Sequence, residues 1–198
     1  LKGDIQETFN MISIDGDTST NDMVTVLANG MAENAEIVAD GEDFNEFMKA
    51  LNTVNVALSR MIAADGEGAT KLLTCDVRNF NDIAGAKKLA KSVIKSSLVK
   101  TAMFGSDANW GRILCALGYA GVTIDVNKVD VYFKSEGGEI LVCKDGAGVE
   151  FSEELAKEIL VKDEVYIIVN LNDGEFSANA YGCDLTYDYV KINGDYRT

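Results

Sequence analysis

The 198 residues contain no histidine and no proline. Without histidine, Ser-His-Asp and Cys-His catalysis within this chain is excluded, and so is any histidine-ligated metal. Without proline, turns must be built from Gly, Asn and Asp, as in Asn172-Asp173-Gly174 and Glu136-Gly137-Gly138-Glu139. Cys75, Cys115, Cys143 and Cys183 lie far apart with no C-x-x-C pair, which argues against a zinc site or a redox dithiol and for reduced cytosolic thiols. Apolar runs are short and broken by charge, and no basic, apolar, small-residue leader opens the chain, so a cytoplasmic location is expected. Positive charge is scarce too: 18 Lys and Arg against 32 Asp and Glu leave a net charge of −14. That balance opposes nucleic acid and anionic membranes, and small molecules or other proteins are the expected partners.

The hydrophobic pattern predicts an α/β (α+β) fold. Leu1 to about Thr8 reads as the tail of a helix, followed by extended segments Phe9 to Ile14 and Met23 to Ala28. Phe44, Phe47, Met48, Leu51, Val54, Leu58, Met61 and Ile62 keep a 3.6-residue period and predict a long helix from Phe44 to Ala64, with Asp43 and Glu46 expected to cap its start. A strand from Ala69 to Val77, a helix from Asp82 to about Lys95, and a helix from Trp110 to Tyr119 after the capping cluster Ser106 to Asn109 follow. Trp110 is expected to be packed rather than to line a binding edge. A boundary near residue 121 divides a main α/β layer, residues 1–120, from a smaller α+β unit, residues 121–198. In the second part, Val129 to Phe133 and Ile140 to Cys143 form a hairpin, and Ser152 caps a helix to Leu160. Val165 to Leu171 and Phe176 to Ala180 are strands joined by Asn172-Asp173-Gly174. Asp184 is expected to cap a final helix that stops at Asn193-Gly194.

Asp65-Gly66-Glu67-Gly68-Ala69-Thr70-Lys71 is the unusual stretch. It follows the long helix, whose C-terminus carries roughly half a negative charge, and Glu67 beside it is electrostatically out of place unless a cation joins them. Glu67 is thus either a site for an ammonium group or an ordinary solvated loop residue. The segment is no phosphate loop, because the second glycine of the nucleotide fingerprints is missing and it runs from helix to strand. Asp15 to Asp22 is dense in oxygen atoms but fails the calcium-loop pattern, with Thr20 where glycine is needed and Val26 where glutamate is needed. No metal is expected, and side-chain to backbone hydrogen bonds fixing a tight turn are the simpler account. The tail from Asn193 to Thr198 offers an amide, a hydroxyl and a carboxylate.

Four motifs stand in order along the whole chain: Phe9-Asn10-x-x-Ser13-Ile14-Asp15-Gly16-Asp17-Thr18-Ser19-Thr20-Asn21-Asp22, Asp65 to Lys71, Phe104-Gly105-Ser106-Asp107-Ala108-Asn109-Trp110-Gly111-Arg112, and Gly182 through Thr198. They resemble the β chain of ornithine acetyltransferase, also called glutamate N-acetyltransferase, of arginine biosynthesis. The resemblance implies a layered α-β-β-α sandwich and a precursor that cuts itself before a threonine. It also implies acetyl transfer from N-acetylornithine to glutamate through an acetyl-threonine intermediate. No cofactor is implied, although some members also accept acetyl-CoA as a co-substrate. The substrate-binding residues of the family fall on Glu67, Asn193 and Thr198, and Glu67 would then pair with the substrate ammonium.

The same resemblance places no catalytic residue within these 198 positions. The nucleophilic threonine is expected upstream of Leu1 and the oxyanion donors on an α chain, with which the β chain forms a heterotetramer or larger assembly. Two other readings of the sequence are a related self-processing amidase or aminopeptidase, and a non-catalytic amino-acid-binding module. The isolated 198-residue polypeptide is expected to show no acetyl transfer, and turnover measured with it alone would refute that expectation.

Overall fold

The structure is a computed structural model and describes residues 1–38 and 40–197. Leu73, Cys75 and Val77 alternate along the chain and are fully buried, which is how a strand with one face on a core should read. They belong to β2 (Leu72–Phe80), which lies within a seven-stranded mixed sheet. The other strands are β1 (Ile12–Ser13), β3 (Asp130–Ser135), β4 (Gly138–Lys144), β5 (Ala147–Gly148), β6 (Glu164–Asn170) and β7 (Phe176–Cys183). The spatial order is β1-β7-β2-β6-β3-β4-β5. β2 runs parallel to β6 and antiparallel to β7. The division expected near residue 121 therefore falls within this sheet, because β2 precedes it and both neighbours of β2 follow it. The predicted α/β class is observed, and all strands among the described residues belong to this one sheet.

Among the described residues seven helices accompany the sheet: α1 (Lys2–Ile5), α2 (Glu42–Ala64), α3 (Ile83–Lys95), α4 (Ser97–Phe104), α5 (Trp110–Gly118), α6 (Glu153–Leu160) and α7 (Tyr187–Asp195). α3 begins where Asp82 accepts from the Gly85 amide at 2.7 Å, and it buries Ala86, Leu89, Ala90, Val93 and Ile94. Ile94 packs on Gly182 of β7, which pairs with Leu73, so α3 covers the face that carries Leu73, Cys75 and Val77. α2 lies on the opposite face, where Arg60 reaches Thr74 and Glu164. α1 is tied to α2 through Asp4, whose buried carboxylate accepts from Asn52 at 2.7 Å and from Asn55 at 2.6 Å. Trp110 is packed, as expected: a Cβ on Gly148 would lie 2.5 Å from its ring.

The structure departs from the sequence expectations at several places. β6 and β7 are joined by a tight turn yet are not neighbours, since β2 lies between them. The connection wraps around the end of β2, with the Leu171 and Asp173 amides donating to the Arg78 and Asn79 carbonyls at 3.0 and 2.8 Å. Gly174 is needed at this crossing, because a Cβ there would lie 2.2 Å from the Phe80 carbonyl oxygen. α4 has no counterpart in the periodicity analysis, for its inward face carries Lys100 among Val99, Ala102 and Met103 and so lacks a continuous apolar stripe. The expected extension from Phe9 to Ile14 is a 3-10 turn, Phe9–Met11, followed by the two residues of β1. Met23 to Ala28 pairs with no strand among the described residues.

Gly182 lets β7 approach α3 closely. A Cβ there would lie 2.5 Å from Ile94 Cγ2 and 2.7 Å from the Ser13 carbonyl oxygen. Gly182→Ala is expected to destabilise the chain by about 1–3 kcal/mol through overpacking, read from the urea midpoint.

Candidate functional site

α2 ends at Asp65, whose amide donates to the Met61 carbonyl at 3.1 Å. The chain then turns, the Ala69 amide donating to the Gly66 carbonyl at 2.9 Å, and enters β2. Both glycines around Glu67 are sterically required. A Cβ on Gly66 would sit 2.7 Å from Cys183 Sγ, while Gly68 combines a φ of +66° with a Cβ position 2.6 Å from the Tyr189 amide nitrogen. Side chains packed on Gly66 and the α7 backbone packed on Gly68 thus fix where Glu67 stands.

The far side of that contact is the start of α7. Asp184 does not cap α7 as expected. Its buried carboxylate crosses to the Glu67 loop and accepts from the Thr70 amide at 2.8 Å, the Thr70 hydroxyl and the Lys71 amide at 3.0 Å. Thr186 is the cap instead, accepting from the Tyr189 amide at 3.3 Å and donating to the Gly68 carbonyl at 2.6 Å. α7 then runs past the expected stop to Asp195, which places Asn193 in its last full turn. Asn193 Nδ2 donates to Glu67 Oε2 at 2.6 Å and to the Tyr189 carbonyl at 3.0 Å. The latter bond is a side-chain bond back to the carbonyl four residues earlier in the same helix.

Of the residues named from the sequence, Glu67 and Asn193 are therefore in direct contact, although 126 positions separate them. Thr198 lies outside the described residues. Tyr189 and Asp15 complete the arrangement and were not singled out individually. The Tyr189 hydroxyl donates to Asp15 Oδ2 at 3.0 Å, while Asp15 Oδ1 accepts from the Asp17 amide at 2.9 Å. The four-residue spacing of Tyr189 and Asn193, which puts both on one helical face, was the available signal. Burial, the bond to Asp15 and the charges of Asp15, Glu67 and Asp17 hold the Tyr189 phenol above its usual range, so it is a neutral donor at physiological pH. Glu67 is exposed, and among the described residues no Lys or Arg forms an ion pair with it. The arrangement is a fixed, solvent-facing carboxylate beside a helix C-terminus, suited to receive a cation.

The ArgJ family profile matches residues 1–198. The chain belongs to the ArgJ family. It is 55% identical over its full length to an arginine biosynthesis bifunctional protein ArgJ of Caldanaerobacter subterraneus, covering 49% of that protein. It is 56% identical to ArgJ 1 of Clostridium acetobutylicum, covering 48% of it. The chain thus spans about half the length of the curated relatives it matches. A crystal structure of an arginine biosynthesis bifunctional protein ArgJ from Bacillus halodurans superposes with a TM-score of 0.92 at 45% identity, over 98% of this chain and 90% of that one.

Around the candidate site the end of the sheet is braced by two buried lysines. Lys71 donates to the Met103 carbonyl at 2.6 Å and to the Ser106 hydroxyl at 2.9 Å. Lys100 donates to the Cys183 carbonyl, next to Asp184. Burial lowers the pKa of both, against an opposing pull from the charge of Asp184. A separate cleft of about 560 Å³, lined by Glu136, Val161, Lys162, Asp163, Glu164 and Tyr166, contains none of the residues predicted from the sequence. Among the described residues no group of three or more His, Cys, Asp or Glu is placed to hold a metal ion.

Lys100 supplies a test of this bracing. Its folded pKa lies below the ordinary value of 10.5, so between those two values the unfolded chain binds more protons and stability rises with pH. The stability difference between the native chain and Lys100→Met, from urea melts between pH 7 and pH 10.5, is expected to shift in favour of the native chain as pH rises. A pH-independent difference would show that the lysine is not desolvated.

Proposed function

We propose that this chain is the β part of a glutamate N-acetyltransferase of arginine biosynthesis, moving acetyl from N-acetylornithine to glutamate in the cytoplasm. In this reading Glu67 binds the free ammonium of N-acetylornithine, with Asn193 holding the carboxylate in place and Thr198 adding a hydroxyl from the chain end. The observation that carries it is the exposed Glu67 pinned between two obligatory glycines and bonded to Asn193. Most of its negative charge is unneutralised, and the adjacent end of α2 adds to it. The names of the relatives, drawn from arginine biosynthesis, support the reaction class.

The nucleophile in this reading is a threonine outside these 198 residues. Its hydroxyl oxygen attacks the acetyl carbonyl of N-acetylornithine, the C–N bond breaks, and ornithine leaves with the proton. The amine of glutamate then attacks the acetyl-threonine ester, giving N-acetylglutamate and the free hydroxyl. Oxyanion donors come from an α chain, with which this chain forms a heterotetramer or larger assembly. No cofactor takes part, and acetyl-CoA is a second donor only in a bifunctional enzyme.

Two observations support a partner chain. The chain of the solved relative is covered to 90%, so it too is about half as long as the curated proteins. The outer face of α2 is apolar and uncovered, with Phe47 53% and Met61 65% exposed beside Val54, Leu58 and Ile62. Isolated surface hydrophobics are ordinary, but a stripe along a 23-residue helix marks a docking face.

Co-expression with the upstream half of the protein, followed by assays with N-acetylornithine and with acetyl-CoA as separate donors, tests the function. Transfer from N-acetylornithine to glutamate is expected. Glu67→Gln should raise KM for N-acetylornithine about tenfold or more, the loss of one charge-assisted contact of roughly 1.5–3 kcal/mol. If KM and kcat were both unchanged, the ammonium role would be wrong.

A further inference from the structure

The Asp15 to Asp22 loop is a motif that the proposed function leaves without a part. It is nevertheless connected to the site. Asp15 accepts the Tyr189 hydroxyl, and the Tyr189 carbonyl accepts Asn193 Nδ2, whose second bond goes to Glu67. An amide nitrogen has two hydrogens, and both are used here. The direction in which Asn193 points is therefore set by the Tyr189 carbonyl and the Glu67 carboxylate together. Tyr189 also contacts the loop directly: its amide is bonded to Thr186, which holds the Gly68 carbonyl, and its backbone leaves no room for a Cβ on Gly68.

We propose that Tyr189 is a positioning residue of this site. Its hydroxyl anchors the first turn of α7 to Asp15, and its carbonyl fixes Asn193 against Glu67. The Asp15 loop thereby acts at a distance on the carboxylate that receives the ammonium, without touching substrate. Tyr189 is half-buried, and its hydroxyl is directed by the bond to Asp15 Oδ2. This inference rests on the ammonium-binding reading of Glu67 and deepens it.

The test uses the assembled two-chain enzyme. Tyr189→Phe removes only the hydroxyl and should raise KM for N-acetylornithine about three- to tenfold, with kcat changed by less than about twofold. Asp15→Ala should reproduce that change, and Asp15→Asn, which keeps an oxygen for the hydroxyl, should restore most of the affinity. The double variant Tyr189→Phe with Glu67→Gln should bind no more weakly than Glu67→Gln alone, because the hydroxyl acts through Glu67. A purely structural tyrosine would instead lower kcat or the thermal midpoint, and its effect would multiply with that of Glu67→Gln. If Glu67→Gln raises KM while Tyr189→Phe leaves it unchanged, or if the two effects multiply, the Tyr189 inference falls and the ammonium reading stands. If Glu67→Gln leaves KM unchanged, both fall.

Discussion

The buried carboxylate of Asp184 is the contact on which the candidate site depends. A carboxylate out of water is costly unless its oxygens are filled, and this one accepts from the Thr70 amide, the Thr70 hydroxyl and the Lys71 amide. Those donors lie at the exit of the Glu67 loop, whereas Asp184 itself directly follows β7. One side chain therefore joins the entry of β2 to the exit of β7 at the end of the sheet where the site stands. Thr186 and Tyr189 extend the same seam along the first turn of α7, and Gly68 allows the two backbones to meet. Glu67 is held as a consequence of these contacts rather than by any bond that it makes with its own neighbours.

The electrostatics of this end of the sheet divide into an inner and an outer layer. Inside, Lys71 and Lys100 are buried on carbonyl and hydroxyl oxygens without a carboxylate in contact, and the charge of Asp184 partly offsets their desolvation. Outside, Asp15, Asp17 and Glu67 face solvent with no basic side chain paired to them among the described residues, and Asp15 and Glu67 accept from neutral donors. At this end of the sheet positive charge is thus buried in bracing the fold and negative charge is exposed without a basic partner. The overall charge of −14 adds to the same bias by attracting cationic groups at long range.

Much of the architecture was legible. The 3.6-residue period identified α3, and alternation identified β3 and β6, because burial of one face imposes those periods on sequence; α2 shows the same period although its apolar stripe is exposed here. The capping role of Ser152, which accepts from the Leu155 amide, was visible locally, whereas the expected cap of Asp43 and Glu46 lies inside α2, whose N-cap is Gly41. The errors share a cause. Asp184 looked like a cap and Asn193-Gly194 like a stop because those residue types usually serve such roles, but here their polar groups are engaged by partners more than a hundred residues away. The insertion of β2 between β6 and β7 was likewise hidden, since nothing local to a turn records which strand will occupy the space beside it.

By itself the sequence determined the class of the fold, the exclusion of histidine chemistry, and the electrostatic oddity of a carboxylate between glycines after a long helix. Composition and period are properties of single segments, and they carry that much. Only the tertiary structure decided that Glu67 meets Asn193, that Asp184 closes the loop, and that Tyr189 links both to Asp15. Those contacts are made across segments whose sequence separation leaves no periodic signature, and their geometry exists only once β2 and β7 lie side by side.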